Sequence, residues 1–190
     1  MADEIMQEDI IDEEIERDQY LVFIVKAQEF GIQAMRVQEI SALLKTTEVP
    51  NAPPYIEGIM NLRGHLVSVI NFRRKFGFEP KEYDEDTRII MTEHKRFPIG
   101  ILVDSVEEVI KIPDEKVQKL PETTTTPMSE EYITGVGMME GRLIILLDAD
   151  KVLTKHELAE VGAITKIKAE EEEMKNEKKS EDEEVMSKVS

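Results

Sequence analysis

An internal duplication constrains the fold of this chain more than any other feature. Tyr55-Ile56-Glu57-Gly58-Ile59 returns as Tyr132-Ile133-Thr134-Gly135-Val136, an offset of 77 in the numbering. The register then holds without a gap: Leu62-Arg63-Gly64-His65-Leu66-Val67 falls on Met139-Glu140-Gly141-Arg142-Leu143-Ile144, and Val69-Ile70-Asn71 on Leu146-Leu147-Asp148. An upstream echo sets Phe30-Gly31-Ile32 and Val37-Gln38-Glu39-Ile40 against Phe97-Pro98-Ile99 and Val106-Glu107-Glu108-Val109, with an offset of 67 at the phenylalanines. Self-similarity at a fixed spacing means that one structural plan is used twice. The two copies span approximately 28–76 and 95–153, and a polar, proline-bounded connection from Leu120 to Pro127 lengthens the second.

The plan is β. Tyr20 to Val25 is a β-branched and aromatic run, and Glu29-Phe30-Gly31-Ile32 follows closely enough to form a hairpin with it. Further strands are expected at Leu66 to Asn71, Arg88 to Thr92, Ile99 to Val103, Glu107 to Ile112 and Leu143 to Asp148. Turn residues rather than long helices separate them, which favours small barrels or sandwiches over a parallel α/β sheet. Short helices are expected at Ala34 to Ile40, around Pro54 to Glu57 and after Asn71. Gly64 and Gly141 stand at hairpin tips, where a positive φ is often required. Arg63 precedes the first glycine and Glu140 the second, so the turn does not need arginine and Arg63 is free for recognition.

Charge divides the chain into three parts. Of a net −17, about −8 lies in the acidic segment 1–18 and about −4 in 155–190, leaving about −5 for the much longer 19–154. Leu158, Val161, Ile164 and Ile167 recur at helical spacing and predict a C-terminal helix packed on the second barrel. The Glu- and Lys-rich stretch from Glu170 to Lys188 reads as a solvated helix extension or a disordered tail.

Acidity also removes partners, because phosphate backbones and anionic lipid call for clustered Lys and Arg. No nucleic acid is expected as a partner. Membrane insertion is not expected either: apolar runs such as Leu143 to Leu147 fall well short of the roughly 20 residues of a membrane helix. The absence of cysteine and an acidic start fit a reducing, cytoplasmic setting.

Chemistry finds no foothold. His65, His94 and His156 lie in separate segments without metal-ligand spacing, so no metal or cofactor is expected. Asp104, Glu107, Glu108, Asp148 and Asp150 offer carboxylates, but among 41 acidic residues close pairs arise by chance. Gly135-Val136-Gly137 opens like a dinucleotide fingerprint, yet Glu140 occupies the third glycine position and a hairpin follows. Serines 41, 68 and 105 lack the context of a nucleophile elbow. What remains is recognition surface: the Asn61 to Gly64 tip, the Met35 to Glu39 segment and the junction of the barrels.

Taken in order, Tyr20-Leu21-Val22-Phe23, Phe30-Gly31-Ile32, Val37-Gln38-Glu39-Ile40, Pro50 to Pro54, and Ile56 through Gly64 with its Asn-Leu-Arg-Gly string make a specific series. Val69-Ile70-Asn71-Phe72, Gly100 to Val106, Tyr132-Ile133-Thr134-Gly135 and Gly141-Arg142-Leu143 extend it. The series resembles the CheW family of chemotaxis coupling proteins over residues 19–154. The resemblance implies a mainly β fold of two small β-barrel subdomains with a hydrophobic junction, short helices and a C-terminal helix. It implies a non-catalytic, cytoplasmic adaptor, monomeric in isolation, that links the regulatory domain of the histidine kinase CheA to the cytoplasmic tip of chemoreceptors. Receptor contact is then expected at Val37, Glu39, Gly58, Asn61, Leu62, Arg63, Gly64, Gly100 and Val106, with Gly58 and Gly100 alternatively serving backbone shape. The rival readings are a fragment of a CheV-like scaffold, although no receiver domain follows Thr154, and a small β-barrel enzyme.

Overall fold

Two-residue turns, one three-residue crossing and one single-residue crossing place the strand boundaries. The computed structural model describes residues 17–94, 97–121 and 131–189, so the acidic start and most of the connection after Leu120 lie outside the described residues. The strands are β1 (Gln19–Val25), β2 (Gln28–Gln33), β3 (Val37–Ala42), β4 (Ile56–Leu62), β5 (His65–Asn71), β6 (Arg88–His94), β7 (Phe97–Val103), β8 (Ser105–Lys111), β9 (Val117–Gln118), β10 (Ile133–Met139) and β11 (Arg142–Leu147). A short helix, α1 (Phe72–Lys75), follows β5, and a long one, α2 (Lys155–Val189), follows β11. The fold is mainly β with a C-terminal helix.

The strands form a six-stranded sheet, β8-β1-β2-β11-β10-β9, and a five-stranded sheet, β3-β6-β7-β5-β4. If β1 to β5 are matched with β6, β7, β8, β10 and β11, the five-strand order of one sheet becomes that of the other. Neither sheet, however, belongs to one copy. The five-stranded sheet combines β3, β4 and β5 with β6 and β7, and the six-stranded sheet combines β1 and β2 with β8 to β11, because the chain changes sheet between β2 and β3, through the 3-10 turn Ala34–Arg36, and between β7 and β8, at Asp104. The copies are interlocked.

Register fixes the upstream offset at 69 rather than 67. Leu21 faces Ile32 as Ile90 faces Ile101, and Gly31 pairs with Leu146 as Gly100 pairs with Val69. Phe30-Gly31-Ile32 therefore corresponds to Ile99-Gly100-Ile101, and Val37 to Val106 by the same 69 residues. The match extends to irregularities. Bulges that displace Gln38 and Glu107 are equivalent, as are those at Glu57 and Thr134.

Of two expected short helices, one is cut to a single turn and the other is a turn that leads into a strand. Of Ala34 to Ile40 only Ala34–Arg36 is helical and β3 begins at Val37; around Pro54 to Glu57 the chain turns and enters β4 at Ile56. The bulge at Gln38 explains the first error: with one extra residue in the strand, Val37 and Ile40 lie on the same face, opposite Thr92 and Ile90, and imitate helical spacing.

The sheets curl without a continuous closing ladder. After β3, Thr47 bridges to Ile59 on the far edge, with backbone hydrogen bonds of 2.7 and 2.9 Å, and β9 plays the same part for β10. Each sheet wraps its own interior, Met60, Val67, Val69, Ile89, Met91 and Leu102 in one and Val22, Ile112, Ile144 and Leu146 in the other. Between the sheets lies a common cluster of Leu21, Phe23, Phe30, Ile32 and Leu147 with Ile90, Ile101, Val103 and Phe72. Phe72, 1% exposed, meets the Phe23 and Phe30 rings edge-on at centroid distances of 5.4 and 5.0 Å. Full burial of such a ring contributes about 1.5–3 kcal/mol, with roughly 0.5–1.5 more for each well-oriented aromatic pair.

The first part of α2 belongs to this core. Thr154 and Glu157 form a reciprocal capping box, each accepting from the other's backbone N–H at 2.8 and 3.3 Å. Leu158 and Val161 then pack with Leu153 over Ile56, Ile70 and Ile99, and the Ser68 and Thr165 hydroxyls meet at 2.7 Å. The helix thus covers the five-stranded sheet, whose β3, β4 and β5 come from the first copy.

Candidate functional site

The β4–β5 hairpin ends in a two-residue turn, Arg63-Gly64, with φ of +52° and +86°. That geometry suits the twist of the flanking strands and favours Asn or Gly at the first position. Asn61 supports the turn by accepting from the Gly64 backbone N–H at 2.9 Å. The left-handed conformation at Arg63 is therefore tolerated rather than preferred, and its guanidinium is what the position supplies. Arg63 Nη2 donates to Glu39 Oε1 at 2.8 Å, joining the β3 and β4 edges of the curled sheet, while the arginine side chain stays 74% exposed.

The structure separates the nine expected contact residues. Glu39, Asn61, Arg63 and Gly64 assemble at the tip, where Leu62 is half-buried against the sheet's interior cluster. Val37 and Val106 are half-buried against the common cluster between the sheets. Gly58 and Gly100 are buried and present no surface. At Gly58 a Cβ would stand 2.6 Å from the Thr47 carbonyl oxygen, and at Gly100 one would stand 2.8 Å from Ile89 Cγ2. Backbone and core approach exclude side chains at both. Gly58→Ala should therefore destabilise the fold by about 1–3 kcal/mol, as overpacking does, measured by urea unfolding; unchanged stability would restore Gly58 to the surface argument.

The twin hairpin differs by more than the identity of one residue. Glu140 occupies the turn with φ +48°, in the same conformation as Arg63, and the cation has moved two residues on to Arg142. There Nε and Nη2 donate to Glu29 at 3.0 and 2.6 Å, and Nη1 donates to Glu108, the equivalent of Glu39, at 2.7 Å. Arg142 is thus saturated, with 37% of its side chain exposed against 74% for Arg63. Both hairpins keep an ion pair to the matching edge strand, β3 or β8, and the one at Arg63 leaves its guanidinium facing solvent. Sequence comparison finds Glu140 but misses Arg142, because the compensating charge stands at a different repeat position.

The carboxylates weighed for catalysis are engaged in structure. Asp104 holds Arg73, Glu108 holds Arg142, Asp150 pairs with Arg36, and Asp148 accepts from the Asp150 N–H at 3.0 Å. Ser68 is buried against Thr165, and the Ser105 hydroxyl donates to Glu107. Among the described residues no three acidic or histidine side chains are grouped to hold a metal, and no helix is long and apolar enough to cross a membrane.

The family model of the CheW-like domain matches residues 19–157. The chain is 36% identical over 148 residues to chemotaxis protein CheW of Klebsiella aerogenes, covering 78% of this chain and 89% of that protein. It is 33% identical over 140 residues to chemotaxis protein CheW of Bacillus subtilis, covering 73% and 88%. The crystal structure of the scaffolding protein TtCheW from Thermoanaerobacter tengcongensis matches with a TM-score of 0.65 at 28% identity, over 72% of this chain and 92% of that one. With the family model matched over residues 19–157 and relatives at 33% and 36% identity, the chain belongs to the CheW family, non-enzymatic scaffold adaptors of chemotaxis.

Proposed function

We propose that this protein couples chemoreceptors to the histidine kinase CheA in the cytoplasm, with receptor contact centred on Glu39, Asn61, Leu62, Arg63 and Gly64. The observation that carries the proposal is the solvent-facing guanidinium of Arg63, held by Glu39, on a hairpin whose equivalent has its arginine tied between two carboxylates. An arginine fork beside apolar Leu62 suits an interface that recognises carboxylates. Val37 and Val106 would act from beneath, setting the sheets on which the contact residues stand. The regulatory domain of CheA would meet the remaining sheet surfaces.

Coupling of this kind makes and breaks no bonds. A rigid body with two docking faces holds receptor and kinase at fixed geometry, and once one interface has formed the next forms at high effective concentration. Signalling is then a shift between arrangements that the partners bind with different affinity. The interlocking of the copies supports this role, because one face cannot loosen without disturbing strands of both sheets. Sedimentation of the purified protein with CheA and with a receptor cytoplasmic fragment, separately and together, should show binary complexes with each and a ternary complex. Failure to co-sediment with either at tens of micromolar rejects the proposal.

A further inference from the structure

Helix α2 runs well beyond residue 157, where the family match ends. Thr165 lies against Ser68, and farther along the helix Glu172, Glu173 and Asn176 line a groove together with Gly64 and His65, so α2 runs toward the hairpin tip. From Asn176 it continues for about 20 Å at the helical rise of 1.5 Å per residue. The groove holds about 480 Å³. Leu66, Phe97 and Ala169 supply its apolar lining, and a Cβ at Gly162 would lie 2.9 Å from the Phe97 ring.

The helix lines the groove with Gly162, Thr165, Lys166, Ala169, Glu172, Glu173 and Asn176, at the three- and four-residue spacing of one face. Over about 21 Å this is a straight wall, small at its base, with the exposed Lys166 partway along and Glu172 and Glu173 toward the tip. Small side chains let another helix approach closely and set its ridge in the groove. Glu172 and Glu173 are exposed on the groove side, and the pair calls for Lys or Arg opposite. Beyond the groove's end Arg63 calls for a carboxylate. The charge order excludes nucleic acid and suits a helix with an apolar ridge, basic residues on the α2 side and an acidic residue near the hairpin turn.

We propose that this groove seats a helix of the same chemoreceptor tip that engages Arg63, so that α2 is a second wall of the receptor site; the inference rests on the receptor reading above. The test measures binding of a receptor cytoplasmic fragment, and separately of the CheA regulatory domain, to the full chain, to the double variant Glu172→Lys, Glu173→Lys, and to Arg63→Glu. The double variant should keep the wild-type circular dichroism and kinase binding. Its receptor binding should weaken about fivefold to tenfold at low salt, with the gap shrinking as salt rises, as contacts between exposed charges require. Wild-type receptor binding by the double variant at every salt concentration, with Arg63→Glu impaired, overturns the groove and leaves the tip reading standing. Equal loss of kinase and receptor binding by the double variant also overturns the groove. A wild-type chain that does not bind the fragment overturns both readings.

Discussion

Asp104→Ala should destabilise the protein by about 2–4 kcal/mol, somewhat less than leaving a fully buried charge without its partner, because the pair is part-buried and Arg73 also donates to the Glu79 carbonyl. Asp104 is the single residue by which the chain passes from β7 in one sheet to β8 in the other. Its carboxylate accepts from Arg73 Nε and Nη2 at 2.7 and 2.5 Å and from the Lys26 backbone N–H, in the β1–β2 turn, at 2.9 Å. Both side chains of the ion pair are 14% exposed. One carboxylate therefore ties α1, a sheet crossing and a hairpin of the opposite sheet. Against a total stability of about 5–15 kcal/mol for a typical domain, the loss is large. Urea unfolding should show a lower midpoint and one transition, because interlocked sheets cannot unfold in turn. Arg73→Met combined with Asp104→Leu should recover most of the loss, since an apolar pair leaves no charge buried. If Asp104→Ala cost less than 1 kcal/mol, as exposed pairs do, the crossing would not be the structural tie described.

The same site predicts an acid response. Burial pushes the Asp104 carboxyl upward, but the Arg73 fork and the Lys26 amide outweigh it and hold the group below its ordinary value. Glu157 behaves alike: burial raises it, while Lys75 and the Thr154 amide hold it lower. A carboxylate depressed in the folded state stabilises the fold at pH above its unfolded value, near 4, and that contribution is lost as pH falls through the folded value. The stability gap between wild type and Asp104→Ala should therefore be level from about pH 5 to 8 and should narrow below about pH 4.

The repeat, the hairpins and the β class were legible in the sequence because they are local: a run of β-branched residues, a turn glycine and a constant offset each fit within a short window. The interlocking was not. It depends on which sheet a strand enters after Ala34–Arg36 or after Asp104, and nothing in the few residues at either crossing states the destination. The bulges hid more. By placing Val37 and Ile40 on one face, the bulge at Gln38 gave a strand the period of a helix, and the two-residue error in the upstream offset came from matching Phe30 with Phe97 when the paired glycines, Gly31 and Gly100, mark the true register. The site was legible at its tip, where Arg63 could be compared with Glu140. It was illegible beneath, because burial distinguishes Gly58 and Gly100 from Asn61 and Gly64, and burial is a property of the assembled sheets.

Arg63→Glu should weaken receptor binding by a factor of about 30 or more, the loss typical of an arginine hot spot worth at least roughly 2 kcal/mol, while the protein stays folded. The substitution reverses the charge at the most exposed point of the proposed site and sets it against Glu39, whose oxygen now lies 2.8 Å from the guanidinium. Repulsion will swing the new carboxylate into solvent, which an exposed turn permits. The backbone will not object, because Glu140 holds the same left-handed conformation in the twin hairpin, at φ +48° against +52°. Binding of the CheA regulatory domain and the circular dichroism spectrum should remain those of the wild type. Arg63→Asn separates backbone from charge: it should stabilise the fold by a few tenths of a kcal/mol or more, since Asn favours this turn position, and should still lose receptor binding. If Arg63→Asn bound receptor as tightly as wild type, the guanidinium would be dispensable and the hairpin would be only a turn.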